Sequence, residues 1–182
     1  MKDSHVSGRT WVIADSQARL IEDIDTDQIF HNAFLHVTEI SSMGQHALGN
    51  LAGWEDFPKK ARSGDIIIAG RNFGAGSSRQ QAVDCFVSLG IGMILAPSFG
   101  AIYFRNAVNS GFPLLKCLDL EELIRKELLK TGDSLDIDIL TGNGRIARGN
   151  VSFRAEPMSG VQLDILKVGS LFRYGVMLNR SV

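Results

Sequence analysis

The chain has 182 residues, 45% of them hydrophobic and 21% charged, with a formal net charge of −1. Those values suit a single soluble domain with a full core, and the charge balance offers no basic face for nucleic acid or an anionic membrane. No apolar run approaches the ~20 residues of a membrane span, and Trp11-Val12-Ile13-Ala14 is too short for a signal-peptide core, so a cytoplasmic protein is expected.

In chain order, residues 10–14 are β-branched or aromatic enough for a strand. Asp23-Ile24-Asp25-Thr26-Asp27 follows, with side chains that can cap a turn or a helix start. Residues 31–62 are broken by Gly44, Gly49, Gly53 and Pro58 and read as loop, with one short helix at 42–51. Ser63-Gly64-Asp65 signals a turn. Residues 66–70 are a β-branched apolar run, a strand buried on both faces. A glycine turn at 74–76 leads into a helix at 78–89, whose Ala82, Cys85, Phe86 and Leu89 share a face and which Gly90 stops. A second buried strand at 91–96 ends at Pro97 and completes a βαβ unit. A helix at 101–110, a strand at 112–117 and an amphipathic helix at 120–130 come next, the last carrying Glu122 four residues before Lys126. Beyond residue 131 the period changes. Residues 135–139 and 151–155 alternate about a turn at 142–144, as antiparallel strands do. A short helix at 163–168 closes the pattern.

Cys85 and Cys117 are the two cysteines. Each sits in an apolar stretch and reads as a buried reduced thiol. Two thiolates cannot hold an iron–sulfur cluster of the four-thiolate kind. His31, His36 and Asp27 have no metal-ligand spacing, so no metal is assigned to the chain. His5 and His46 read as solvent residues.

The segment Arg71-Asn72-Phe73-Gly74-Ala75-Gly76-Ser77-Ser78-Arg79-Gln80 lies between a buried strand and a helix start. Glycines there let backbone N–H groups approach a ligand, and a helix N-terminus favours negative charge. Arg79 adds a forked cation suited to a carboxylate. The segment is not a Walker loop, because Ser77 stands where Lys is required. It is neither a dinucleotide fingerprint nor a nucleophile elbow, because Arg79 stands where each requires a small residue. By itself it could be a plain helix cap.

Four motifs in order give it more content. Asp25-Thr26-Asp27-Gln28-Ile29, the run from Ala69 to Arg79, Ser98-Phe99 with Ile102, and the run from Gly111 to Leu114 together resemble the small subunits of 3-isopropylmalate dehydratase. Those are the stand-alone equivalent of the C-terminal swivelling domain of aconitase. The resemblance implies an α/β fold, a β/β/α three-layer swivelling domain over residues 1–182, with a specificity loop at about 31–62. It implies a hydro-lyase, active only with a large subunit that carries a [4Fe-4S] cluster, in a heterodimer or heterotetramer. By motif position Ser77 is the base that takes a proton from carbon. Gly76, Ser78 and Arg79 would bind substrate carboxylate, Asp27 would support the site or merely shape the turn, and Asp25 would cap it. An alkoxide is strong enough for such a proton only where amides and a cation stabilise it.

The chain departs from the pattern in three places. Ala75 stands where many relatives have Cys. Gln80 replaces a Glu, so the tuning of Arg79 is open to change. Phe34-Leu35-His36-Val37-Thr38 replaces a Tyr-Leu-Arg-type stretch. There Leu35 and His36 would favour an alkyl group on the substrate, unless His36 is a surface residue. The expected substrate is therefore 3-isopropylmalate, a step of leucine biosynthesis, with 2,3-dimethylmalate, citramalate or homoaconitate as alternatives. A non-enzymatic carboxylate-binding module is the rival reading; a complete serine hydrolase lacks a His/Asp constellation.

Overall fold

The structure is a computed structural model and describes residues 4–179. Its frame is a seven-stranded mixed sheet in the order β4-β3-β2-β1-β5-β6-β7. The strands are β1 (His5–Val12), β2 (Ile66–Ile68), β3 (Met93–Ala96), β4 (Leu114–Lys116), β5 (Ser134–Asp138), β6 (Asn143–Ile146) and β7 (Val151–Arg154). β1 belongs to both halves. Thr10, Trp11 and Val12 pair in parallel with Ile66, Ile67 and Ile68. His5 to Arg9 pair antiparallel with Asp138 to Ser134.

Side-chain alternation along the strands divides the core in two. Ile67, Ile94 and Leu114 join Ala82, Cys85 and Phe86 of α4 (Gln81–Ser88) and Tyr103 and Ala107 of α5 (Ala101–Asn109). Ile66, Ile68, Met93, Leu95 and Leu115 join Leu135, Ile137, Ile146 and Phe153 of the antiparallel strands. The parallel strands are thus covered by helices on one face and by strands on the other, the expected β/β/α layering. On the strand side lie α6 (Leu120–Arg125) and α7 (Gly160–Val168), through Leu120, Leu123, Leu163 and Leu166.

Several expected boundaries move, each for a local reason. β1 begins at His5 rather than residue 10, because its first half is only partly covered and carries polar residues. The segment 42–51 is a single turn of α2 (Ile40–Met43) followed by a 3-10 turn at Gly44–His46. Further single turns form α1 (Thr26–Ile29) and α3 (Phe57–Lys60). α4 starts at Gln81, three residues later than expected, because the two glycines at φ +78 and +90 hold the preceding turn open. α6 stops at Arg125, where Glu127 adopts φ +58 and the Leu128 N–H turns back to the Leu123 carbonyl. The expected turn at 142–144 lies at 139–142, closed by Asp138, so Asn143 and Gly144 belong to β6. α8 (Leu171–Asn179) was not expected at all; it has Gly175 at its centre and leaves Phe172 and Met177 exposed.

Candidate active site

The glycine turn is stitched to three other segments. The Gly74 N–H donates to the Ile24 carbonyl at 2.7 Å and the Thr26 N–H to the Ala75 carbonyl at 2.9 Å. Phe73 pairs with Phe99, and the Asn72 N–H donates to Ser98 Oγ at 2.9 Å. A Cβ on Gly74 would run into the Tyr103 ring, and one on Gly100 would meet the Gly74 carbonyl. The sequence blocks around Asp25, Gly74 and Ser98 are therefore one object in space.

Ser77 and Ser78 are exposed. Ser77 Oγ lies 3.3 Å from Thr26 Oγ1, and Asn106 Nδ2 donates to Ser78 Oγ at 3.4 Å. The N–H groups of Gly76, Ser77 and Ser78 donate to no acceptor among the described residues. The uncommitted donors are thus amides of the turn itself. The α4 amides named in the sequence reading begin four residues beyond Ser77.

Arg79 is held from one side. Its Nη1 donates to Asp27 Oδ1 and, at 3.1 Å, to the Phe30 carbonyl. Asp27 also accepts from the Asn32 N–H at 3.0 Å and from Asn50 Nδ2 at 3.1 Å. The Arg79 hydrogen bond, followed by that of the Asn32 N–H, holds the Asp27 carboxyl below the usual carboxylate range against a smaller opposing effect of burial. Asp25 caps α1, accepting from the Asp27 and Gln28 N–H groups, while Gln28 returns a bond to the Asp25 N–H. Gln80 has no bond to Arg79: its Nε2 donates to Asp84 and to Ser110 Oγ, both at 2.8 Å. A glutamate there would face Asp84, whose carboxyl burial already pushes up.

Leu35 and His36 are exposed on the segment 31–38, whose first residues are anchored through Asn32 on Asp27. His46 is not a solvent residue. It is half-buried and stacked on Phe34 with centroids 3.9 Å apart, and burial lowers its pKa. His5 is bonded to Asp136 at the edge of the antiparallel half.

Both cysteines are free and buried. They lie in different core layers, Cys85 among the helices and Cys117 among the strands. Burial pushes Cys117 up to about 11 and Cys85 higher still. Deprotonated, paired thiolates are what an iron–sulfur cluster requires, so these residues do not fit one. Among the described residues no group of three or more His, Cys, Asp or Glu is gathered that could hold a metal ion. One cleft of about 950 Å³ lies between residues 15–22 and α6, and another of about 430 Å³ lies beside β1 and Ile91. The 74–79 turn lines neither, and Gly76, Ser77 and Ser78 are exposed.

A family model of the aconitase C-terminal domain matches residues 55–119. A 3-isopropylmalate dehydratase small subunit of Pyrobaculum aerophilum is 38% identical over 170 residues, covering 93% of this chain and 96% of that one. The chain belongs to the family of 3-isopropylmalate dehydratase small subunits. A methanogen homoaconitase small subunit of Methanocaldococcus jannaschii is 35% identical over 153 residues, covering 84% and 85%. The crystal structure of 3-isopropylmalate dehydratase from the same organism superposes with a TM-score of 0.82 at 32% identity, over 97% of this chain and 98% of that one. In this small-subunit fold Arg79 bonds to Asp27, and Ser77 and Ser78 precede Arg79 on the same turn. The sequence reading gave Thr26 only a possible capping role, which Asp25 fills instead, and it assigned nothing to Asn50, for which the sequence offered no signal. No helix among the described residues is long and apolar enough to cross a membrane.

Proposed function

We propose that the chain is the small subunit of a cytoplasmic two-subunit hydro-lyase that dehydrates and rehydrates a malate-type hydroxy acid, with 3-isopropylmalate as the foremost substrate. The observation that carries this reading is the exposed Ser77 hydroxyl on a turn with three uncommitted amides beside an Arg79 tethered to Asp27. Ser77 Oγ, as alkoxide, accepts the proton from the substrate carbon next to a carboxylate. The turn amides and the Ser78 hydroxyl steady the negative charge that develops there. Asp27 and Phe30 occupy Arg79 Nη1, which leaves Nε and Nη2 to clamp a carboxylate in a fork.

The cysteines of this chain do not fit cluster ligands, so a [4Fe-4S] cluster belongs with the large subunit, as the family resemblance implies. The exposure of Gly76, Ser77 and Ser78 agrees with a site whose second wall is another chain. The whole chain acts as one unit, with residues 31–62 as the specificity segment. Phe34, Leu35 and Val37 favour an alkyl group, with His36 at its rim. A homoaconitate-type substrate is the second reading, favoured by the homoaconitase relative.

The test is reconstitution with a cluster-bearing large subunit and a screen of 3-isopropylmalate, 2,3-dimethylmalate and citramalate against homoaconitate. The isolated chain should be inactive. Ser77→Ala should lower kcat by at least about 10³-fold with subunit assembly intact. Substantial turnover by that variant removes Ser77 as base; a preference for homoaconitate removes the alkyl reading.

A further inference from the structure

Thr26 is the residue of the Asp25-Thr26-Asp27 run for which neither cap nor clamp accounts. It is 2% exposed. Its hydroxyl has one hydrogen-bond partner among the described residues, Ser77 Oγ at 3.3 Å. Its backbone is fixed on both sides: the N–H donates to the Ala75 carbonyl, and its carbonyl accepts from the Phe30 N–H. Asp25 caps the helical turn it begins. A β-branched side chain has few rotamers to choose from. The hydroxyl is therefore aimed at Ser77 by covalent geometry and by the fold.

The chemistry of the pair is asymmetric. Between two neutral hydroxyls either can donate. Once Ser77 gives up its proton, only Thr26 can. A hydroxyl donating to an oxyanion makes a shorter bond, about twice as strong as a neutral one. We propose that Thr26 is a positioning residue that holds Ser77 in its deprotonated form and points it at the substrate. This rests on the reading of Ser77 as the base. In the step itself the C–H bond breaks, its electron pair stays on carbon, and the proton passes to Ser77 Oγ. Thr26 keeps its own proton throughout.

The experiment uses the reconstituted complex and compares Thr26→Val, Thr26→Ser and Ser77→Ala, with kcat and KM measured across pH. Valine keeps the shape and removes the donor. It should lower kcat roughly 10- to 100-fold with KM within about three-fold, because Thr26 contacts Ser77 and not the carboxylate clamp. The acid limb of the kcat profile should move to higher pH, since Ser77 then holds its proton more tightly. Thr26→Ser restores the donor and should return kcat to within about three-fold. Thr26→Ala is measured alongside, so that the comparison with serine stands if the valine chain fails to assemble. Turnover of the valine or alanine chain within two-fold of the parent, while Ser77→Ala is dead, overturns the role of Thr26 alone. So does equal impairment of the serine and valine chains with an unmoved pH limb, which is the mark of a packing residue. An active Ser77→Ala overturns the base assignment first and this inference with it.

Discussion

Asp27 bonds to the turn through Arg79, to the start of the specificity segment through Asn32, and to its far side through Asn50. Asp27→Asn keeps an acceptor but removes the charge that holds the guanidinium. The expected result is a rise of about ten-fold in substrate KM with a smaller change in kcat, from a clamp that no longer waits in place. Steady-state kinetics of the complex check it, and an unchanged KM shows that Arg79 is positioned by the Phe30 carbonyl instead. The depressed Asp27 carboxyl also sets a sign. Its contribution to folding is fully present above the ordinary carboxylate value of about 3.9 and is lost as pH falls through the lower folded-state value. Ser77, Arg79 and Asp27 stood out in the sequence because they lie in ordered motifs, and the structure joins Arg79 to Asp27. The partner of Gln80 was not. Asp84, one helical turn on, was within reach of a pattern argument, but Ser110 comes from the end of another helix.

The glycine turn depends on one close approach. Gly74 adopts φ +78 and lies against the Tyr103 ring, which is buried in the helix-side core. Gly74→Ala adds both backbone strain and an overlap with that ring. It should cost about 2–4 kcal/mol in urea unfolding, and it should lower activity further than stability loss explains, because Ser77 rides on the same turn. A variant of parental stability means the ring can step aside. At this scale the sequence was clearest where burial is complete. β2 and β3 are apolar runs because both faces are covered, and they lie inside the longer ranges the pattern gave them. β6 was hidden because Gly144, beneath the Phe153 ring, imitates a turn residue. α8 was hidden because it carries one charge, Arg173, and so has no polar stripe to define its face.

The two half-sheets meet on β1, and a buried carboxylate ties that strand to the turn before β2. Asp65, 3% exposed, accepts from Arg9 and Trp11 Nε1 at 2.6 Å and from the Arg62 N–H at 2.8 Å. Burial works to raise its pKa, and the three donors together outweigh it, so the carboxyl titrates below its ordinary value. Asp65→Asn should destabilise the chain by about 3 kcal/mol near neutral pH, measured by urea unfolding followed on tryptophan fluorescence. The gap between variant and parent should begin to close as pH falls below about 3.9 and should be lost as pH falls through the lower folded-state value. A gap that persists in acid means that shape, not charge, holds that tie. The antiparallel half was legible from the change of period after residue 131, while the layering came only with the family resemblance. The sharing of β1 was not, since one strand's sequence does not reveal two sets of neighbours. That sharing has a consequence for the nascent chain. The parallel partner of β1 can be in place once residue 68 has been made, but its first half waits for residues 134–138. At roughly 5–20 residues per second, β1 keeps a bare strand edge for several seconds of synthesis. That interval, more than the finished fold, is when the chain is open to pairing with the wrong strand.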